Sequence, residues 1–334
     1  MKTLAIETSC DETSASVVEY KDGKFEVLSL VVRSQVEHER FGGVVPEIAA
    51  RAHIEYIYPV VDKALREAKL SLDDIDLFSV TKGPGLAASL IVGIQFSKTL
   101  ALIHKKPFVG VNHMIGHIFS AYLSSDISHP FLCLIVSGGH TDLVLVRNWY
   151  DYEHIGWTLD DAAGEAFDKG ARMLGLGYPG GAKIDKIARE GDRKFYKFPK
   201  VKIKRKGYFF SFSGLKTALM NLLKEKGESW VKENLKHIAA SYQEAIVENL
   251  VETTLRALED HGIKNLAVVG GVAMNSRLRE VLSENLGKRV FFSLPEYCTD
   301  NGAMIGAAGI AKLILFGEDK QDLSVYPSLG VVEI

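Results

Sequence analysis

Cysteine is scarce: Cys10, Cys133 and Cys298 are the three in 334 residues, and their wide separation gives neither a paired metal spacing nor a disulfide framework, which points to a reducing compartment. Nor is there an excess of charge of either sign. Lys and Arg number 40 against 42 Asp and Glu, a net charge of −2, so there is no global basic field and any nucleic acid must be met by a local patch. Also missing are an apolar run that reads as a membrane span and, over the first residues with their Glu7, Asp11 and Glu12, the apolar core of a signal peptide. The expectation is a cytoplasmic protein. What remains, 47% apolar and 25% charged residues, is a soluble globular composition at a length that exceeds one ordinary core, so two domains are expected.

The chain is organised around His113-Met114-Ile115-Gly116-His117, entered from the apolar run Phe108 to Val111. If Asn112 caps a helix there, the four-residue spacing stacks both imidazoles on one face, which suits a shared metal ion. Two histidines never complete a site, so an ordinary buried or surface pair remains open until further ligands are found. The metalloprotease pattern would place a Glu directly after the first His; here that position is Met114.

Leu4 to Glu7 reads as a strand, followed by a polar turn through Thr13 and by Ser14 to Tyr20 and Phe25 to Ser34, an antiparallel meander. A helix is expected from Pro46 through Lys69, a strand over Ile75 to Thr81, and after Gly83-Pro84-Gly85 a helix from Ala87 to His104, rich in small and apolar residues and expected to be buried on most sides. Then the opening pattern returns. Leu132 to Val136, the turn Ser137-Gly138-Gly139-His140 and Thr141 to Arg147 overlay the chain from Leu4 onwards without a gap, pairing Ser9 with Ser137 and Thr13 with Thr141. Either the lobe is duplicated or two hairpins are unrelated; duplicated turns would offer N–H and hydroxyl donors to a polyphosphate or adenylate.

Further on, Arg193 to Lys206 interleaves Lys200, Lys202, Lys204 and Arg205 with Phe195, Tyr196 and Phe198, a mixture that can bind phosphates and stack bases or can be a solvated face. Ser213 and Lys216 match a Ser-x-x-Lys nucleophile pattern that no Lys-Thr-Gly completes, so Ser213 reads better as a helix cap. Helices over Trp230 to His261 lead to a strand and the glycine turn Gly270-Gly271 ahead of Asn275, a place for a nucleotide against a helix N-terminus. Asp300 stands before a small-residue helix as either a cap or an anion presented to a cation.

Taken together these stretches resemble one family. The residues are Ile6 to Thr13, Gly42-Gly43-Val44-Val45-Pro46-Glu47, His113 to His117, Val136 to Thr141, Asp160 to Lys169, Tyr178-Pro179-Gly180-Gly181, Phe210 to Thr217, Gly270 to Asn275 and Asp300 to Met304, in order over nearly the whole chain. The family is that of the tRNA adenosine threonylcarbamoyltransferases of the TsaD type, once described as glycoproteases. The resemblance implies an α/β fold, the two-lobed fold of actin, sugar kinases and heat-shock chaperone ATPases with a duplicated mixed-sheet core. A first lobe is expected over 1–127, completed by the C-terminal helix at about 301–334, and a second over 128–300. It implies one metal, iron or zinc, held by His113, His117 and Asp300. It implies an adenine nucleotide or threonylcarbamoyl-AMP on Val136, Ser137, Gly138, Gly139 and His140, with Asp168, Gly181, Asp185 and Asn275.

The implied reaction transfers a threonylcarbamoyl group from its adenylate to the N6 amine of the adenosine beside a tRNA anticodon. Its proton acceptors are expected at Glu12 and Asp11, in the first polar turn. The implied partners are the tRNA anticodon loop, contacted by Lys202, Lys204 and Arg205, an upstream adenylate-forming enzyme and, in bacteria, a TsaB-like paralogue and a TsaE-like ATPase. Two other classes compete. A zinc protease accounts for the histidines and nothing else, and a kinase of this fold, or a non-catalytic ATP-binding scaffold, accounts for the fold without needing the histidines.

Overall fold

Buried on both faces, β1 (Lys2–Glu7) is the strand from which the first sheet is laid out. The structure is a computed structural model that describes residues 1–35, 38, 43–200 and 205–334. Gly42 of the family motif, and Lys202 and Lys204 of the basic stretch, lie outside the described residues. On one side β1 pairs antiparallel with β2 (Glu12–Lys21), and β2 with β3 (Lys24–Ser34), the expected meander. On the other it runs parallel to β4 (Leu77–Gly83), which runs parallel to β5 (Phe108–Asn112). Parallel neighbours need crossovers, supplied here by α1 (Pro46–Ala68) and α2 (Ala87–His104). From β5 the chain enters α3 (His113–Ser124).

The second sheet repeats this plan. β6 (Phe131–Val136) pairs antiparallel with β7 (Thr141–Asn148) and parallel with β10 (Asn265–Val269), which pairs parallel with β11 (Val290–Phe292). The strand orders are β3-β2-β1-β4-β5 and β11-β10-β6-β7-β8-β9, where β8 is Asp151–Thr158 and β9 is Tyr208–Phe210. Read from opposite ends, the second contains the first with one strand added at its edge. The registers agree too: Leu4 faces Val17 as Leu132 faces Leu145, the residues that the gapless sequence overlay brings together. The duplicated mixed-sheet core is therefore real, and the two hairpins are related.

Around the second sheet lie α4 (Ala163–Met173), α5 (Gly181–Ala188), α6 (Ser213–Lys226), α7 (Glu228–Asp260) and α8 (Ser276–Leu286). Where several helices were expected before His261, α7 is one of 33 residues, since no glycine or proline interrupts it. The chain ends through α9 (Pro295–Cys298) and α10 (Gly302–Phe316). It divides into two compact units, one of 1–126, 148–151 and 293–334, the other of 127–147 and 152–292. The return to the first unit comes at Ser293, ahead of the change expected near 301, and this carries Asp300 into the same unit as the histidine pair.

One expectation fails on α2. Ser89, Leu90, Gly93, Ile94, Ser97 and Ala101 are buried, but Leu102 and Ile103 are 68% and 67% exposed, so the helix is buried on one face and not on most sides. By length and composition it is also apolar enough to cross a membrane, contrary to the reading that no run qualifies. Its packed face and its place as a crossover between two core strands are those of a core helix of unit 1.

Candidate metal and nucleotide sites

Asn112 does cap α3: its Oδ1 accepts from Met114 N at 2.8 Å, while its Nδ2 donates to the carbonyls of Gly330 and Glu333. This fixes His113 and His117 on successive turns, with ring centroids 4.7 Å apart. Gly116 between them lets α10 approach, since a Cβ there would stand 2.8 Å from Ile305 Cδ1. Just before α10 the choice left open for Asp300 is resolved by its neighbour. Asn301 is the cap, accepting from Met304 N at 3.0 Å, so the carboxylate of Asp300 is not engaged with the helix. One of its oxygens lies 3.4 Å from His113 Nε2 and 3.3 Å from His117 Nε2.

His113, His117 and Asp300 thus bring one donor atom each to within 4.8 Å of one another. Two nitrogens and a carboxylate oxygen suit a transition metal better than magnesium or calcium. The test of fit is His117, which is 1% exposed, with no partner on Nδ1 and only the Asp300 carboxylate, at 3.3 Å, facing Nε2. A buried polar atom without a partner is costly, and a metal ligand is what removes that cost. Burial also holds the His117 imidazole below its usual pKa, in the neutral form a metal requires.

Sequence reasoning missed the residue behind His113. Glu7, fully buried at the end of β1, places Oε2 3.0 Å from His113 Nδ1 and accepts from Thr81 Oγ1, while Ser9 N donates to its other oxygen. A carboxylate on Nδ1 turns Nε2 toward the metal position, the arrangement that orients metal-bound histidines generally. The signal available was a charged residue ending an apolar strand. Burial pulls the His113 imidazole down, but the charges of Asp300 and Glu7 overcome it and hold it well above its usual value; in return, Glu7 and Asp300 are held below theirs against the effect of burial.

In the first turn, burial and then the negative charges of Asp300, Asp11 and Glu7, with a hydrogen bond that the protonated Glu12 donates to Asp11, push Glu12 well above the usual carboxylate range. Burial likewise pushes the Cys10 thiol up, which removes it as a nucleophile. His53 of α1 ties this turn down, with Nε2 bonded to the Cys10 carbonyl at 2.9 Å and Nδ1 to Thr13 Oγ1 at 2.8 Å.

The corresponding turn in the second unit is closed by Ser137 N donating to the His140 carbonyl and His140 N to Ser137 Oγ. Gly138 and Gly139 are exposed, and a Cβ on either would meet nothing within 4 Å. Val136 ends β6 at its carboxyl end, as Val269 ends β10; Gly270, at φ +92°, comes so close that a Cβ would stand 2.3 Å from the Val136 carbonyl. Carboxyl ends of parallel strands are where ligands of such sheets bind.

The other expected ligand residues are each already engaged. Asp168 Oδ1 accepts from Gly180 N at 2.7 Å and also bonds the N–H of Gly181, at the start of α5. Asp185 is buried, with Oδ1 on Ser276 N and Oγ and Oδ2 on Arg189. Asn275 caps α8 through Leu278 N and donates to Gln243 Oε1. A carboxylate or amide retains further bonding capacity, so these contacts anchor the helices without closing the residues to a ligand.

Two readings change. Ser213 is not a cap: it is the first residue of α6, and Asp160 takes that role from far along the chain, accepting from Phe212 N, Ser213 N and the hydroxyls of Ser211 and Ser213. In the basic stretch, Phe198 is buried against Tyr242 and Lys200 pairs with Glu248 and Glu252, so these serve the unit's own packing. Arg205 stacks its guanidinium over Phe209 at 4.5 Å and Trp157 at 5.8 Å.

Comparison with known proteins agrees with this geometry. HypF from T. kodakarensis superposes with a TM-score of 0.62 at 16% identity, covering 97% of this chain and 49% of that one, and component A of the Acidaminococcus fermentans (R)-2-hydroxyglutaryl-CoA dehydratase with 0.53 at 17%, covering 92% and 96%. At such identities they establish the fold alone, that of the actin-like ATPases. In sequence, proteins named tRNA N6-adenosine threonylcarbamoyltransferase from Caldicellulosiruptor saccharolyticus and Kosmotoga olearia are 48% and 46% identical, covering 99% and 100% of this chain and the same shares of theirs. The TsaD family, described as tRNA N6-adenosine threonylcarbamoyltransferase, matches residues 26–307, and the chain belongs to that family.

Proposed function

We propose that the chain transfers the threonylcarbamoyl group of threonylcarbamoyl-AMP to the N6 amine of the adenosine adjacent to the anticodon of tRNA, forming N6-threonylcarbamoyladenosine. The observation that carries this reading is the convergence of His113, His117 and Asp300 in a chain of this family. A protease leaves the turn at Ser137 to His140 without a role, and a kinase does not call for the buried histidines.

In this reading the adenylate lies on the turn Val136 to His140, with Asp168, Gly181, Asp185 and Asn275 about its nucleoside. His113, His117 and Asp300 hold iron or zinc, which when bound supplies Lewis-acid stabilisation of charge on ligand oxygens. The amine nitrogen forms its bond to the carbamoyl carbon, the bond from that carbon to the phosphate oxygen breaks, and AMP leaves. The proton lost by the amine goes to Glu12, which burial and the neighbouring carboxylates make a stronger base than an ordinary carboxylate, with Asp11 beside it. The acceptor lies in a single-stranded loop, where presenting the base costs less than extracting it from a duplex.

The partners in this reading are tRNA, an upstream adenylate-forming enzyme, a TsaB-like paralogue and a TsaE-like ATPase, all in the cytoplasm. Reconstitution tests the whole: tRNA, threonine, bicarbonate and ATP with the adenylate-forming enzyme, candidate partners added one at a time, and the product read by nucleoside mass spectrometry. The modified nucleoside should form only when this chain is present. Its absence from the complete mixture would overturn the proposal.

A further inference from the structure

A buried carboxylate that the mechanism does not use lies on β7. Asp142 is 5% exposed, and its oxygens face two imidazoles: Oδ1 is 2.8 Å from His154 Nε2 and Oδ2 is 3.4 Å from His140 Nδ1. A carboxylate so placed selects the tautomer of each ring, as in catalytic triads and around metals. With the proton on the nitrogen that faces the carboxylate, Nδ1 of His140 and Nε2 of His154, the opposite nitrogens of the neutral rings are acceptors. The two rings and Trp157 line a cavity of about 310 Å³ that also includes Gly139. Trp157 is an ordered wall rather than a loose surface residue, its ring 5.2 Å from that of His154 and edge-on to Phe209 at 4.9 Å.

The chemistry of the transfer says what must bind beside the turn Ser137 to His140. In a carbamoyl adenylate the carbon under attack is joined to phosphorus through a single oxygen, so the attacking amine has to be held next to the seat of the phosphate. This cavity shares Gly139 and His140 with that turn. Resting on the transferase reading above, we propose that the cavity seats the acceptor nucleotide of the RNA: its unpaired base stacks on Trp157, and its exocyclic amine donates to Nε2 of His140, which Asp142 positions through Nδ1. Stacking on aromatic side chains is the general means of holding unpaired bases. An acceptor nitrogen facing the amine favours a base that carries one. Arg205, its guanidinium 5.8 Å from the Trp157 ring, adds positive charge beside that residue for the RNA backbone.

The test places 2-aminopurine, fluorescent when unstacked and quenched on stacking, at the acceptor position of an anticodon stem-loop RNA as a reporter of stacking alone, since its amine is on C2 and not C6, and runs the adenosine RNA in parallel in the reconstitution that makes the modified nucleoside. Wild type should quench the fluorescence. Trp157→Ala should abolish the quench and raise KM for unmodified RNA about tenfold, within the range measured for removing one base-stacking aromatic, while adenylate affinity by calorimetry stays as in wild type. Trp157→Leu, which keeps apolar bulk against Phe209 but cannot stack, should behave likewise, and Trp157→Phe should retain the quench. In Asp142→Asn the ring-nitrogen resonances of His140 and His154 should report changed tautomers. Undiminished quenching by the alanine and leucine variants would overturn the proposal, as would loss of adenylate binding in place of RNA binding. A wild-type mixture that makes no modified nucleoside would instead count against the transferase reading, and mass spectrometry keeps the two failures apart.

Discussion

A buried imidazole with no partner on Nδ1 and a carboxylate 3.3 Å from Nε2, as at His117, fits a metal ligand better than a core residue. Replacing His117 with Ala should therefore empty the site while circular dichroism stays that of wild type and Tm stays close to that of the metal-free protein. His113→Ala should empty it too but lower Tm, because it leaves the buried Glu7 carboxylate without its partner, and a full metal complement in His113→Ala by elemental analysis would refute the assignment. Glu7→Gln keeps the shape but not the charge behind His113 Nδ1, and should weaken metal affinity by about 10- to 100-fold, as lost orienting partners do. The expected proton acceptor is tested apart from the metal. Glu12→Ala should retain metal and adenylate and lose about 100-fold or more of single-turnover transfer from preformed threonylcarbamoyl adenylate; an undiminished rate removes Glu12 from the mechanism. At this scale the sequence revealed ligands but not the residues behind them. His113, His117 and Asp300 stand in recognisable motifs, whereas Glu7, Asp142 and His154 acquire their roles from partners that only folding brings near.

The start of α6 shows the same limit in an element. Ser213 is a good capping residue by type, but four donors at Ser211 to Ser213 are taken by Asp160, which local sequence rules could not connect to them. Asp160→Ala should cost about 1–2 kcal/mol, the loss of a strong cap, read as a lower urea midpoint. Burial pushes the Asp160 carboxyl up, yet these hydrogen bonds hold it below its usual value. Its contribution is thus present in full above the unfolded pKa of about 3.9 and is lost as pH falls through the lower folded value. The difference between wild type and Asp160→Ala should accordingly be constant above about pH 5 and shrink in stronger acid; a gap that widened there would contradict it. The turn after β6 is the opposite case, because the adenylate binding proposed for it rests on its backbone. Open space surrounds Gly138, so Gly138→Val should fold normally and lose adenylate binding in calorimetry. Binding as tight as wild type would move the phosphate elsewhere.

For the whole chain, the duplication was legible because strand pairing in a hairpin is local and its register survives in a gapless overlay. The return of the chain to the first unit at Ser293 was not, since no composition change marks it. Nor was the exposed side of that unit. A groove of about 430 Å³ between α1 and α2 is lined by Ile54, Ile57, Tyr58, Val92, Gln95 and Phe96, and Ile54 and Tyr58 are 66% and 69% exposed. The partner proposed from the family resemblance, a TsaB-like paralogue, is the occupant proposed for this apolar groove. Charges introduced there should be tolerated by the fold, because exposed positions away from caps and pairs change stability by about 0.5 kcal/mol or less. They should not be tolerated by a dry interface, where an unpaired buried charge is strongly unfavourable. Ile54→Asp combined with Tyr58→Glu is therefore expected to leave Tm and metal content unchanged, to abolish co-elution with the paralogue in size-exclusion chromatography, and to lower transfer only in mixtures that depend on that partner. Co-elution of the double variant at wild-type stoichiometry would show that the paralogue docks on another surface.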